Sequence, residues 1–254
     1  MITLGISTGT EVSEVALVRD GETLSSRRTP DIQNHLVWLA PSIHEMLSAC
    51  ALTPADIDLI ACLTGPGSFT GVRLGITTAK TMSQVLGKPV VPVNTLDALA
   101  AAAADAPEAQ HNKETLIIPC MDARKRQVFL CEYIARADAP LERSGEYRAA
   151  DVDDFFSFLG KLDGTVILAG TALVKYGGAI SRNAPGAVLL DEDFWHPRAD
   201  VVARIGSSRF NPRTPLDYKI LTPLYLRAAD IREPKKQMVF LAPSAQNSDP
   251  VEKT

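Results

Sequence analysis

The 254-residue sequence predicts an α/β fold in which one unit, three short strands followed by alternating helices and strands, occurs twice in succession. Three observations lead there. Short β-branched runs separated by turn residues open each half, stretches of helical period follow them, and a hydrophobic content of 46% is enough to fill a sizeable core.

Ile2 to Thr8 and Val12 to Val18 are strand-like, and Asp20-Gly21 supplies a two-residue turn between antiparallel strands, so residues 23–28 form the third strand. Beyond Pro30 the period changes: Leu36, Leu39, Ala40, Ile43, Leu47 and Cys50 fall within about 100° of arc, which predicts a helix over 33–50 with one apolar stripe. Ile57 to Leu63 is almost continuously apolar, as a strand buried on both faces is, and it ends in Gly-Pro-Gly. A second helix is expected over 70–86, stopped by Gly87 and Pro89, then a strand at 90–93 and a helix opening near Asn94 or Thr95. The alanine run at 100–104 closes this half.

The second half repeats the order without a residue-level repeat. Strands are expected at 115–121, 126–134 and 143–148, a helix at 151–162, a strand at 166–169, a helix at 171–181, a strand at 188–190 and a last helix at 197–208. Both halves thus read β-β-β-α-β-α-β-α, the order of a duplicated ribonuclease H-like fold of the actin, Hsp70 and hexokinase (ASKHA) type. The expected organisation is an N-terminal subdomain over 1–104 and a C-terminal subdomain over 105–230, whose last helix packs back on the N-terminal half. A poorly ordered tail over 231–254 is rich in Pro, Lys, Gln and Ser, with one apolar patch at Met238 to Leu241.

A net charge of -4 argues against a protein that holds nucleic acid by a basic surface of its own, so RNA contact is expected to be shared with a partner. Cys50, Cys62, Cys120 and Cys131 stand singly, without metal or redox spacing, and read as reduced thiols. The opening MITLGIST has no basic leader, and no apolar run approaches the roughly 18 residues of a membrane span, so a cytoplasmic protein with no membrane contact is expected.

The most informative segment is Gly65-Pro66-Gly67-Ser68-Phe69-Thr70-Gly71, between an apolar strand and the free N–H groups of a helix start. Gly65, Gly67, Ser68, Thr70 and Gly71 are candidate phosphate or nucleotide contacts. The plainer reading is a tight crossover whose hydroxyls only cap the helix, and without GK[ST] or GxGxxG it is favoured about two to one. A phosphoryl-transferring enzyme of this architecture needs acids near the first hairpin to hold metal. The first strand, Ile6-Ser7-Thr8-Gly9-Thr10, offers none before Glu11. Asp122 is the best single carboxylate, but Arg124, Lys125 and Arg126 beside it point to a surface ion pair. His35, His44, His111 and His196 form neither a triad nor a metal set, so no catalytic and no metal-ligating residue is assigned. A stand-alone ATP-dependent kinase or ATPase using the glycine segment is the alternative; a peptidase has no nucleophile–base pair or zinc motif to rest on.

The 70–86 helix has a core stripe of Val72, Gly75, Ile76, Ala79, Met82 and Leu86 and a second, weakly apolar band of Leu74, Thr78, Thr81 and Val85. A helix apolar on two sides is normally buried on two sides, and Gly71 with Gly75 would let a neighbouring helix come close. Trp38 and Pro41 lie opposite the main stripe of the first helix. The outer bands are covered either by the chain itself, at even odds on pattern alone, or by another subunit, with Trp38 as anchor.

GPGSFTGVRLG at 65–75, continuing to Thr95-Leu96-Asp97-Ala98-Leu99-Ala100, resembles the signature of the TsaB (YeaZ) family. Ile6-Ser7-Thr8, His35-Leu36 with Pro41 and Ile43, Asp122-Ala123-Arg124 and Pro223-Leu224-Tyr225-Leu226-Arg227 extend the likeness over about residues 1–227. The resemblance implies a non-catalytic subunit that pairs with the catalytic TsaD, and with the ATPase TsaE, to transfer threonylcarbamoyl to N6 of adenosine 37 in tRNAs reading codons that begin with A. It implies no cofactor on this chain alone, with ATP and a metal ion used by the partner subunits. tRNA is met through the assembled complex, and self-association to a homodimer is the fate of the same helices without TsaD. The first two helices supply the TsaD-facing surface, which makes His35, Leu36, Trp38, Leu39, Ile43, Gly71, Leu74, Gly75, Thr78, Thr81 and Val85 its candidate residues. Ser7 stands where family members often carry Asp, which weakens a metal or ATP role further. The tail, with Lys235-Lys236, has no assigned counterpart.

Overall fold

The computed structural model describes residues 1–29, 35–109, 114–137 and 139–226, apart from the side chains of residues 35 and 36. The first sheet holds β1 (Ile2–Ser7), β2 (Ser13–Arg19), β3 (Glu22–Thr29), β4 (Leu59–Gly65) and β5 (Val90–Asn94), in the order β3-β2-β1-β4-β5. The connections dictate that order. Asp20 and Gly21 both take positive φ, as a two-residue hairpin turn requires, and close β2 against β3. The helices α1 (His35–Ala49) and α2 (Phe69–Leu86) carry the chain across so that β4 runs parallel to β1, and β5 to β4. Every residue of β1 and β4 is buried, as in a sheet covered on both faces, whereas the edge strand β3 is largely open.

After α3 (Thr95–Ala104) the second sheet repeats the plan: β6 (Thr115–Asp122), β7 (Gln127–Leu130), β10 (Arg148–Asp151), β11 (Val166–Ala169) and β12 (Val188–Leu189), ordered β10-β7-β6-β11-β12. The two orders match strand for strand, which is the duplicated ribonuclease H-like fold. Its helices are α4 (Val152–Leu159), α5 (Ala172–Asn183) and α6 (Ala199–Arg209). The strands expected at 126–134 and 143–148 are each broken instead. β8 (Tyr133–Arg136) and β9 (Ala139–Arg143) form a separate hairpin on β6, and most of 143–148 is the irregular join between β9 and β10. The cause is a bulge. The Glu132 carbonyl accepts both the Ser144 and Gly145 N–H, and the Glu132 carboxylate lies where a Cβ on residue 145 would be.

α6 leaves the second half and lies on β1, β2 and β4 of the first. Its approach depends on two glycines: a Cβ on Gly5 would sit 2.0 Å from the Ala199 carbonyl oxygen, and one on Gly206 would sit 2.4 Å from the Ala61 Cβ. The chain then returns along α2. Tyr218 shares a groove with Ser83 and Gln84, Lys80 Nζ donates to the Lys219 carbonyl at 3.0 Å, and Arg73 Nε donates to the Tyr225 hydroxyl at 3.0 Å. This strap, residues 210–226, therefore runs antiparallel to the helix over most of its length. Leu221 is buried in the same core as Ile76 and Ala79, with Leu216 and Tyr218 packed against it. The 231–254 tail, with Lys235, Lys236 and the Met238–Leu241 patch, lies outside the described residues, as does His111.

Candidate functional site: an acid-poor cleft and an open helix face

A cleft of about 830 Å³ separates the two halves, walled by Gly9, Thr10 and Ser68 on one side and by Asp122, Thr171 and Lys175 on the other. The glycine segment forms part of its wall, but its glycines serve the chain's own packing. A Cβ on Gly65 (φ 107°) would lie 2.8 Å from the Leu224 carbonyl oxygen, and the Leu224 N–H donates to the Thr64 carbonyl at 2.7 Å, so the strap fills that concavity. A Cβ on Gly67 would lie 2.2 Å from the Gly9 carbonyl oxygen, and one on Gly71 would lie 2.0 Å from that of Thr8. Ser68 caps α2 by accepting the Gly71 N–H at 3.3 Å. Gly65, Gly67 and Gly71 are thus crossover glycines, and only Ser68 and Thr70 among the candidate phosphate contacts stay open to solvent without such a packing role.

The cleft's ionisable groups are tied to one another. Arg124 pairs across the cleft with Glu11 at 3.0 Å. Asp122 accepts the Arg124 backbone N–H at 3.0 Å and faces Lys175 Nζ at 3.7 Å, so its cationic partner comes from α5 and not from the neighbouring basic side chains as expected. Arg126 turns away to Asp153. Arg124, Lys125 and Arg126 all hold left-handed φ (64°, 48° and 58°), which rotates their side chains out of the β6–β7 register.

Ser7, in the position where a metal-holding acid was sought, donates to the Pro197 carbonyl at 2.7 Å and anchors the start of α6. His196, which the sequence left unassigned, reaches Thr10 Oγ1 with Nδ1 at 3.0 Å. Thr10 gives its own proton to the Val12 carbonyl at 3.1 Å, so the imidazole donates and Thr10 is no activated nucleophile. Burial, helped by Arg28, holds His196 below its ordinary pKa, with Glu11 opposing. Among the described residues no group of three or more His, Cys, Asp or Glu side chains gathers as a metal site. No helix among them is long and apolar enough to cross a membrane.

The second candidate region is the outer face of α1 and α2. Val37 and Val85 are 66% and 76% exposed, and Thr81 is also open. Trp38, Leu74 and Thr78 are half-buried. Four of the expected surface residues face inward instead. Leu39 and Ile43 are core side chains, and Gly71 and Gly75 abut Thr8, whose Oγ1 lies 2.4 Å from where a Gly75 Cβ would be. The close approach they permit is to β1 of the same chain. The side chains of His35 and Leu36 lie outside the described residues. The strap covers only the flank of α2 that carries Arg73 and Lys80 and leaves the Thr81 and Val85 side open. Pattern alone could not show this division, because the strap reaches α2 from more than 120 residues away.

The family model described as TsaD, tRNA N6-adenosine threonylcarbamoyltransferase, matches residues 24–160, just over half of the chain. The chain is similar to the tRNA threonylcarbamoyladenosine biosynthesis protein TsaB of Bacillus subtilis, 36% identical over 129 residues, which covers 51% of this chain and 53% of that protein. That match thus spans about half the length of the Bacillus protein. The likeness to TsaB of Escherichia coli is 28% over 225 residues and spans 88% of this chain and 94% of that one. In structure the chain is similar to YeaZ from Pseudomonas aeruginosa, with a TM-score of 0.70 at 24% identity over 89% of this chain and 99% of the other. The chain belongs to the family described as TsaD, tRNA N6-adenosine threonylcarbamoyltransferase, and within it to the TsaB (YeaZ) proteins.

Proposed function

We propose that this chain is a non-catalytic, cytoplasmic subunit of the machinery that places threonylcarbamoyl on N6 of adenosine 37 in tRNAs reading codons that begin with A. It works by docking the outer faces of α1 and α2 onto a catalytic TsaD subunit, with TsaE as the associated ATPase. The observation that carries the reading is the contrast between the two regions. The cleft's two acids are each committed to a cation, Glu11 to Arg124 and Asp122 to Lys175, while α1 exposes Val37 next to half-buried Trp38 and α2 exposes Val85 on the same side as half-buried Leu74. Apolar side chains open on neighbouring helices gain by being covered, and a stable subunit contact buries on the order of 1,200–2,000 Å². ATP and metal chemistry then belong to the partners, and this chain supplies shape.

The test is size-exclusion chromatography of the chain with TsaD. Wild-type protein co-elutes, and Val85→Asp, at a side chain 76% exposed in the isolated chain, weakens pairing at least tenfold. Co-elution of the variant at wild-type concentrations overturns the placement of the surface. Tight binding of Mg-ATP by the chain alone in a calorimeter overturns the non-catalytic reading.

A further inference from the structure

We infer that the strap-covered flank of α2 is an RNA-contacting surface; the inference rests on the proposed function, in that a tRNA is the substrate of the assembly. The flank is built from two strands of cations. α2 contributes Arg73 and Lys80, with Lys88 just past its end, and the antiparallel strap contributes Arg213 and Lys219. Arg73 and Lys80 are two helical turns apart and share one side, and the run from Arg73 to Lys88 spans about 22 Å at helical rise.

Charge on this flank is out of proportion to the chain. The whole protein carries a net -4, yet α2 contains no acid and the strap over 210–226 contains one, Asp217. The Asp217 carboxylate accepts the Lys219 backbone N–H at 2.9 Å, keeps its charge, and offsets one of the five cations. Some cations elsewhere are neutralised where they lie, as Arg148 is by Glu132 and Arg198 by Asp200, and others, such as Arg19 and Lys161, stand singly and not in a row. Among the described residues none of the five flank cations has a carboxylate at ion-pair distance. The hydrogen bonds that Arg73 and Lys80 make go to the Tyr225 hydroxyl and the Lys219 carbonyl, which fix the side chains without removing their charge.

Aromatic rings alternate with these charges. Tyr225 stacks on Phe69 with centroids 5.6 Å apart, Arg73 lies 3.7 Å over the Phe69 ring, and Lys219 lies 6.0 Å over the Tyr218 ring. Cations in line with exposed rings suit a phosphate backbone with unstacked bases better than an acidic protein surface, which has no use for ring faces. The flank is also separate from the docking face. Val85 lies about 120° around the helix from Arg73, so both surfaces of α2 can be occupied at once.

The experiment uses the full chain complexed with TsaD and an unmodified transcript of a tRNA that reads an A-initial codon, titrated by fluorescence anisotropy at several salt concentrations. Lys80→Glu/Lys88→Glu/Lys219→Glu should weaken binding at least tenfold and flatten the slope of log affinity against log salt by about two, at roughly 0.7–0.9 for each phosphate no longer neutralised. Co-elution with TsaD should be unchanged. Lys88→Glu/Lys219→Glu, which spares the Lys80 hydrogen bond to the strap, should give a smaller change of the same kind. Unaltered affinity and slope in the triple variant overturn the inference, and so does loss of TsaD pairing in either variant, which would make the flank a protein interface. Failure of the wild-type chain to pair with TsaD is seen before RNA is added and sinks the docking reading by itself. The same titration on the isolated chain then decides the flank.

Discussion

Glu14→Gln should stabilise the protein, and do so more strongly at alkaline pH. Glu14 lies on β2, is 8% exposed, and sits against the start of α6, where it accepts a hydrogen bond from the Ala199 backbone N–H beside the Asp200 carboxylate. Burial first, and Asp200 second, push its pKa from 4.5 up to about 7; the Ala199 N–H, Arg28 and Arg198 oppose the rise without cancelling it. The folded protein therefore keeps this proton through the interval from 4.5 to about 7 in which the unfolded chain releases it. Stability contributed at this site falls as pH rises across that window and is flat above it. A shift of this size corresponds to about 3 kcal/mol, nearly all of it incurred by pH 8 and under about 1 kcal/mol by pH 5. Glutamine keeps the acceptor for the Ala199 N–H and carries no charge, so the gain over wild type should widen by about 2.5 kcal/mol from pH 5 to pH 8. Urea unfolding of both proteins at the two pH values measures it. A gain that does not change with pH, or a variant less stable than wild type at pH 8, would show that Glu14 is not held as a buried acid against α6.

Three further outcomes follow from the same structure. Asp97→Ala should cost about 3 kcal/mol in urea unfolding. The buried Tyr133 and half-buried Tyr147 hydroxyls, each donating to Asp97 at 2.6 Å, would be left without their acceptor, and half-exposed Arg209, at 2.7 Å, would add little; a cost below about 1 kcal/mol would mean that water replaces the carboxylate. Gly71→Ala should destabilise by about 2 kcal/mol or more, since its Cβ would lie 2.0 Å from the Thr8 carbonyl oxygen, and a thermal melt unchanged from wild type would contradict that packing. Only Cys50 should react promptly with a thiol reagent in the native protein, because Cys62 and Cys120 are buried with pKa values pushed up to about 12 and Cys131 is also buried with its pKa raised; mass spectrometry of the labelled chain reads this directly.

Much of the architecture was legible because its signals are local. The Asp20-Gly21 turn, the apolar run leading into Gly65 and the Gly87 cap each act within a few residues, and all three occur where the pattern places them. The broken strands of the second half were not legible, since the bulge depends on the Glu132 carbonyl meeting Ser144 and Gly145, a long-range contact without periodicity. At the site, the glycine segment was legible as a special turn. Its purpose was not, because a glycine that admits phosphate and one that admits the Leu224 or Gly9 carbonyl look alike in sequence.

Composition, period and turn chemistry by themselves determined the duplicated β-β-β-α-β-α-β-α order, the two helices with apolar residues to spare and the lack of an acid on the first strand before Glu11. Tertiary structure alone decided that the second band of α2 is left open on the Val85 side. The strap from residue 210 onward, more than 120 positions after α2 ends, covers one flank of that helix and leaves Val85 bare on the other. The physical reason is that periodicity records how strongly a face avoids water, whereas the identity of what covers it is set by long-range packing that no local pattern encodes.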